Sequence, residues 1–288
     1  MSIAAALATR TPDAPPIVIA DFSPPRSAEL ADLRGGDEIA PDYFCVAYAP
    51  GRAVRPDPIA VAAALRARTG RPSVVNIATR DANVLALSNA LLGAYLLGVR
   101  DVIVLAGDDF SERDAALVRP VRHLTPSQLI RLIRQLNAGR DFRGAALRRP
   151  TAFSVGATID LGRGIEREAR LTRRKVEAGA MFLITQPLYD VEPWLAFLDA
   201  YHAGGAPALP PVLLGLDIPV AGGVTFSTIP AWVQRDLEAG RSGADIALDV
   251  ASRFRALNLP GFYVVPPILK GGARDYASAA PVIEALRR

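Results

Sequence analysis

The pattern of these 288 residues predicts an α/β fold closed as a single-domain (β/α)8 barrel. Three observations carry the expectation. Short apolar runs of the kind that form buried parallel strands recur eight times. Helix-forming stretches of suitable length lie between them, and neither a long linker nor a shift in composition divides the series. About 250 residues is an ordinary size for such a barrel as one domain.

The strands are expected at 17–20, 44–48, 74–78, 102–105, 152–155, 181–185, 212–216 and 262–265. The intervening helices are expected at 58–69, 82–97, 126–137, 165–178, 193–202, 229–239 with 244–257, and 274–286. Gly98 and Gly179 stand where helix C-caps precede strands, and Thr125-Pro126 reads as a cap followed by a first-turn proline. Gly35-Gly36 and Pro41 predict a short, irregular helix after the first strand. Residues 1–15 read as a loose N-terminal tail, and 16–288 as the TIM barrel itself.

Composition narrows the chemistry. The chain holds one cysteine, Cys45, and two histidines, His123 and His202, too few for a disulfide or a usual zinc site, so no metal is expected. The net charge is +4, but the basic residues are scattered except for short groups such as Arg173-Arg174-Lys175, which weighs against a nucleic-acid partner. No apolar run reaches the roughly 18 residues of a membrane span, and the start lacks a basic segment before its apolar stretch. A cytoplasmic protein that acts on a small molecule is the expectation.

In a barrel of this kind the working residues lie at the C-terminal ends of the strands and in the loops that follow. The candidates are Asp21 to Arg26, Ala47 to Ala49, Asn76 with Thr79-Arg80-Asp81, Gly107-Asp108-Asp109, Thr158, Thr185-Gln186 with Tyr189-Asp190, and Asp217. A carboxylate such as Asp21 at the rim of an apolar cavity is raised in pKa by desolvation and suits a proton donor; a loop or N-cap aspartate is the plain alternative. Gly107 would let the backbone approach a ligand closely. Gln186 offers a donor and an acceptor to a planar heterocycle, with Tyr189 nearby. Lys175 is either a phosphate contact or part of a solvated basic face. Neither GxGxxG after the first strand nor GxxxxGK[ST] anywhere is present.

Taken in series, several segments resemble methylenetetrahydrofolate reductases, especially the branch also found fused to homocysteine methyltransferase domains. The carrying motifs are Asp21-Phe-Ser-Pro-Pro-Arg26, Asn76-Ile-Ala-Thr-Arg-Asp-Ala-Asn83, the stretch from Gly98 to Asp108, the stretch from Leu129 to Asn137, Phe153-Ser-Val155, and Lys175-Val-Glu-Ala-Gly-Ala180 with Ile184-Thr-Gln186. The resemblance implies FAD-dependent reduction of 5,10-methylenetetrahydrofolate to 5-methyltetrahydrofolate, with NADH or NADPH as reductant and hydride passing through flavin N5. By the same resemblance Asp21 is the general acid and Asp108 lies near flavin and folate. Gly107, Thr158, Glu168 and Lys175 match flavin-contact positions, and Gln186 and Tyr189 the substrate side. Family members often associate, so a homo-oligomer is a further expectation.

The sequence departs from the family at four of these places. Asp21 stands where glutamate is usual, Ala47 where threonine is common, Asn76 where histidine is common, and Ala106 where arginine or threonine is common. Two alanines supply no side-chain hydrogen bond. The departures open two alternatives: flavin-free hydride transfer from NADH to the folate, and a non-catalytic folate- or flavin-binding paralogue in one-carbon metabolism.

Overall fold

The computed structural model describes residues 1–11, 13–203, 205–257 and 259–288. Eight parallel strands, β1 (Ile17–Phe22), β2 (Tyr43–Val46), β3 (Ser73–Ala78), β4 (Asp101–Leu105), β5 (Ser154–Ile159), β6 (Phe182–Pro187), β7 (Val212–Asp217) and β8 (Gly261–Val265), pair in chain order and close into a barrel. Around it run α2 (Gly35–Glu38), α3 (Pro58–Thr69), α4 (Val84–Leu96), α5 (Glu112–Ala115), α6 (Pro126–Asn137), α7 (Ile165–Ala178), α8 (Glu192–His202), α9 (Ala231–Glu238), α10 (Gly243–Arg255) and α11 (Tyr276–Leu286), while α1 (Ile3–Thr9) precedes β1. The (β/α)8 expectation holds, and among the described residues no helix is long and apolar enough to cross a membrane.

Both faces of every strand are buried, which is why the runs read as apolar without alternation. Outward residues such as Val18, Phe44, Val75, Val102 and Leu214 join the helices in one core. Inward residues Ile19, Cys45, Val74, Ile103, Phe182, Ile184, Leu213 and Tyr263 fill the barrel. Large and small alternate there: a Cβ on Gly156 would lie 2.4 Å from the Phe182 ring. Because side chains repeat every second residue, the inward positions toward the strand ends include Asp21, Ala47, Asn76, Thr158, Gln186 and Asp217, with the apolar Leu105 and Val265.

Several boundaries shift for identifiable reasons. Strand β5 starts at Ser154 rather than at 152 because the Asn137 side chain takes both backbone groups of Phe153, accepting from its N–H at 2.8 Å and donating to its carbonyl at 2.9 Å. Strand β2 stops at Val46, ahead of Ala49, whose φ of 40° is left-handed. Strand β6 shifts register against β7 between Ile184 and Pro187, where Pro187 lacks an N–H and the Thr185 hydroxyl instead accepts from Gly215 N at 2.8 Å.

The larger correction concerns residues 1–15, expected to be a loose tail. Within them α1 is a helix capped by Ser2, and its Ile3 and Leu7 are buried in the cluster that fills the barrel. The physical reason is an open floor. Asp101 and Ser154 point inward at the N-terminal ends of β4 and β5, and they accept from Ile3 N at 2.8 Å and Ala4 N at 3.2 Å. The helix thus covers apolar surface and satisfies two buried acceptors at once.

Burial raises the Asp101 carboxyl from an ordinary 3.8 to about 6, against the Ile3 N–H, Ser154 and the N-terminal ammonium, which favour its charged form. The unfolded chain loses this proton first as pH rises. The stability contributed by the protonated group is therefore complete below 3.8 and is lost as pH rises through about 6. Asp101→Asn keeps an acceptor for Ile3 and removes this dependence. Chemical denaturation across that window should show wild type losing on the order of 3 kcal/mol relative to the variant, whereas parallel stability curves would count against a titrating Asp101.

Candidate functional site

The C-terminal mouth of the barrel gathers most of the expected residues. On one side Asp21 is buried, and both of its oxygens are engaged. Oδ1 accepts from the Tyr263 hydroxyl at 2.9 Å, and Oδ2 accepts from Arg274 Nε at 2.9 Å. Arg274 Nη2 lies 2.8 Å from the same Oδ2. The expected surroundings of Asp21, an apolar rim, are thus replaced by a guanidinium and a phenol. Burial and the Asp21 charge push the Tyr263 hydroxyl well above its ordinary range, so it is a donor here. Arg274 comes from the segment between β8 and α11, where sequence reading placed no site residue.

Asp217 stands at the same level on the other side of β8. It is the last residue of β7 and pairs with Val265, while Ala20, one residue before Asp21, pairs with Val264. The Tyr189 hydroxyl donates to Asp217 Oδ2 at 3.1 Å, and Tyr189 packs edge-on against Trp232 at 6.3 Å. Burial pushes the Asp217 carboxyl up to about 6; Tyr189, Arg274 and the Ile218 N–H oppose the rise and Asp21 adds to it. Tyr189, read as a substrate contact, is thus buried against a carboxylate. Asp217 had a signal in the sequence, an acidic residue ending an otherwise apolar strand, but no motif attached to it.

The opposite wall is built around Arg80. Its guanidinium clamps Asp81 at 2.7 and 2.8 Å, donates to the Asp108 carbonyl at 2.7 Å and lies 4.2 Å from the Phe110 ring centre. The Arg80 bond holds Asp81 below the ordinary carboxylate range, and Tyr48 donates to the same carboxylate at 2.8 Å. Gly107 has φ +84°, and a Cβ there would lie 3.0 Å from Arg80 Cβ. The close approach that this glycine permits is to Arg80. Asp108 and Ala106 are exposed at the lip, and Ala47, Thr158 and Gln186 are half-buried around it. Asn76 is buried and turns its amide to Cys45, 3.6 Å from Nδ2 to Sγ.

Glu168 and Lys175 lie two turns apart on one face of α7, where that face meets β5. Lys175 Nζ donates to Glu168 Oε1 at 2.7 Å and to the Thr158 carbonyl at 2.6 Å. The two side chains are 11% and 3% exposed. The solvated basic face considered for Lys175 is therefore absent, and the pair fastens the helix to the end of the strand.

The fold and this arrangement define a single-domain (β/α)8-barrel protein with a polar, carboxylate-rich site at the C-terminal mouth. Residues 11–241 match the family model described as methylenetetrahydrofolate reductase. The 5,10-methylenetetrahydrofolate reductase of Escherichia coli (strain K12) is 25% identical over 248 residues, which cover 80% of this chain and 79% of that one. The enzyme of the same name from Salmonella typhimurium (strain LT2) is matched at the same identity and coverage. The chain belongs to the methylenetetrahydrofolate reductase family. Among solved structures, a protein from Clostridium thermocellum described as binding two copies of 5-methyl-5,6,7,8-tetrahydrofolic acid has a TM-score of 0.64 at 13% identity, over 95% of this chain and 94% of that one. At that identity the likeness is one of fold.

Removing one member of the Glu168–Lys175 pair strands a buried charge. Lys175→Ala should lower the unfolding free energy by about 3–5 kcal/mol, and Glu168→Leu with Lys175→Met should recover most of that loss. Urea titrations of the three proteins measure this; a Lys175→Ala loss below about 1 kcal/mol is what an exposed pair would give.

Proposed function

We propose that the chain reduces 5,10-methylenetetrahydrofolate to 5-methyltetrahydrofolate with NADH or NADPH as reductant. Membership of the family over residues 11–241 carries the reading, and the mouth suits the chemistry. The substrate's methylene group bridges N5 and N10. Protonation at N10 opens the bridge and leaves an N5 iminium cation, which accepts hydride at the methylene carbon. Buried or rim carboxylates, here Asp21, Asp108 and Asp217, stabilise such a developing cation. Gln186 supplies a paired donor and acceptor to the pterin or the nicotinamide amide. The Clostridium thermocellum barrel named for the product supports the view that this architecture accommodates a folate.

FAD, which the resemblance implies, does not fit the donor set. Ala47 and Ala106 offer no side-chain hydrogen bond. Asn76 is turned to Cys45, Glu168 and Lys175 are bonded to each other, and the backbone at Gly107 is packed over Arg80. At roughly 1 kcal/mol for each missing neutral hydrogen bond, the two alanines alone weaken such a site by an order of magnitude or more. This disagreement favours the direct reading, in which hydride passes from nicotinamide C4 to the methylene carbon in a ternary complex. Asp21 then acts as an acceptor that orients Tyr263 and Arg274 at the edge of the substrate.

The test is anaerobic NADH oxidation by the purified protein with methylenetetrahydrofolate, with and without FAD, using NADH deuterated at the transferred position. Turnover without flavin, and deuterium retained in the product methyl group, are expected. A flavin N5–H exchanges with water, so turnover only after FAD uptake, with deuterium washed out, would restore the flavin route. Binding of 5-methyltetrahydrofolate with no turnover under either condition would make the chain a folate-binding relative.

A further inference from the structure

We propose, resting on the reading above, that Asp217 rather than Asp21 is the general acid, delivering its proton to the folate nitrogen as the methylene bridge opens. The two carboxylates occupy equivalent places, at the mouth ends of β1 and β7 on either side of β8. Their partners differ. Asp21 accepts from Tyr263 on one oxygen and faces Arg274 at two points on the other. Both Asp21 oxygens are thus taken up as acceptors, one of them in an ion pair with a guanidinium, which fixes this carboxylate in place as a structural acceptor. Among the described residues, Asp217 has no ion-pair partner, and its side-chain bond is a single one from Tyr189 at 3.1 Å.

The groups facing Asp217 come from three elements. Tyr189 follows β6, Arg274 follows β8, and Asp21 ends β1. Arg274 draws Asp217 toward its charged form, but its direct ion pair is with Asp21. The Asp21 charge and burial act in the opposite sense, and burial is the largest influence, leaving the carboxyl at about 6. A donor of this strength near the working pH is what proton transfer to a weakly basic aniline-type nitrogen needs. Of the other carboxylates of the mouth, Asp81 is clamped by Arg80 and Asp108 is exposed on the loop after β4.

The step balances. The Asp217 proton goes to N10 as the N10–methylene bond breaks and its electron pair stays on N10. The N5 lone pair forms the iminium bond, and hydride with its electron pair arrives from the nicotinamide, which leaves oxidised. Asp217 then recovers a proton from solvent.

Four proteins test the assignment: wild type, Asp217→Asn, Tyr189→Phe and Asp21→Asn. Wild-type kcat/KM should fall as pH rises through about 6, since the protonated form is the active one. Asp217→Asn should lose at least about 100-fold in turnover together with this limb. Its affinity for 5-methyltetrahydrofolate, read by tryptophan fluorescence, should stay within about threefold of wild type, a change of less than about 1 kcal/mol. Tyr189→Phe removes a donor to the charged form and should move the limb to higher pH, whereas Asp21→Asn removes a repelling charge and should move it lower. Asp217→Asn turnover within a few-fold of wild type, or an unchanged limb, overturns the assignment and leaves the reductase reading intact. Loss of folate binding in Asp217→Asn also overturns it, in favour of a holding role. A wild-type protein inert toward methylenetetrahydrofolate with either reductant, flavin present or absent, brings down the reductase reading and the acid together.

Discussion

In a closed parallel barrel the inward side chains stack in layers drawn from alternate strands, and the interior of this molecule follows from how those few positions are filled. The middle layers are apolar and hold the barrel together. The end layers are not, since one meets the backbone of α1 and the other opens at the C-terminal mouth. At the floor Asp101 and Ser154 are met by the backbone of α1. At the mouth the inward positions include Asp21, Ala47, Asn76, Thr158, Gln186 and Asp217 beside the apolar Leu105 and Val265, and the first six set the polar character of the site. Two of them are acids, and two that the family commonly uses as hydrogen-bonding side chains are replaced by alanine and asparagine.

Buried charge in such a layer must be neutralised locally, and this chain does so in three ways. Asp21 is matched by Arg274, Glu168 by Lys175, and Asp81 by Arg80. The Asp21–Arg274 pair ties β1 to the segment after β8, and Lys175, through the Thr158 carbonyl, ties α7 to β5, so these charges double as fasteners. Among the described residues Asp217 and Asp101 have no side-chain ion pair, and both are pushed up to about 6 by burial. The first faces the open mouth and the second the closed floor. The same physical shift therefore serves two ends, a transferable proton at one and a pH-dependent seal at the other.

How much of this was legible in the sequence depended on whether the determining interaction was local. Helix α6 begins where Thr125 and Pro126 put it and α7 ends at Gly179, as read, while α3 begins at a further local cap, Asp57, whose side chain accepts from Ile59 N. The strands were found by their apolar runs, but β5 was misplaced because Asn137, 16 residues upstream of Phe153, removes that residue from the ladder. Helix α1 was missed because its stability comes from acceptors 98 and 150 residues away. In the site, strand ends picked out Asp21, Asn76, Gln186 and Asp217. The pairing of Asp21 with Arg274, across 253 residues, was invisible, and with it the difference in role between two aspartates that look alike in sequence.

The floor of the barrel also sets an order of events in folding. The segment Ile3–Thr9, which precedes the barrel, has no complete place to dock until β4 and β5 stand side by side and the ring has closed around Ile19, Leu213 and Tyr263. Contacts of such long sequence separation form after the loop entropy between them has been spent. Before that contact forms the chain carries an undocked apolar segment and an open-bottomed ring, and these two exposed surfaces are the complementary halves of the contact that seals the molecule.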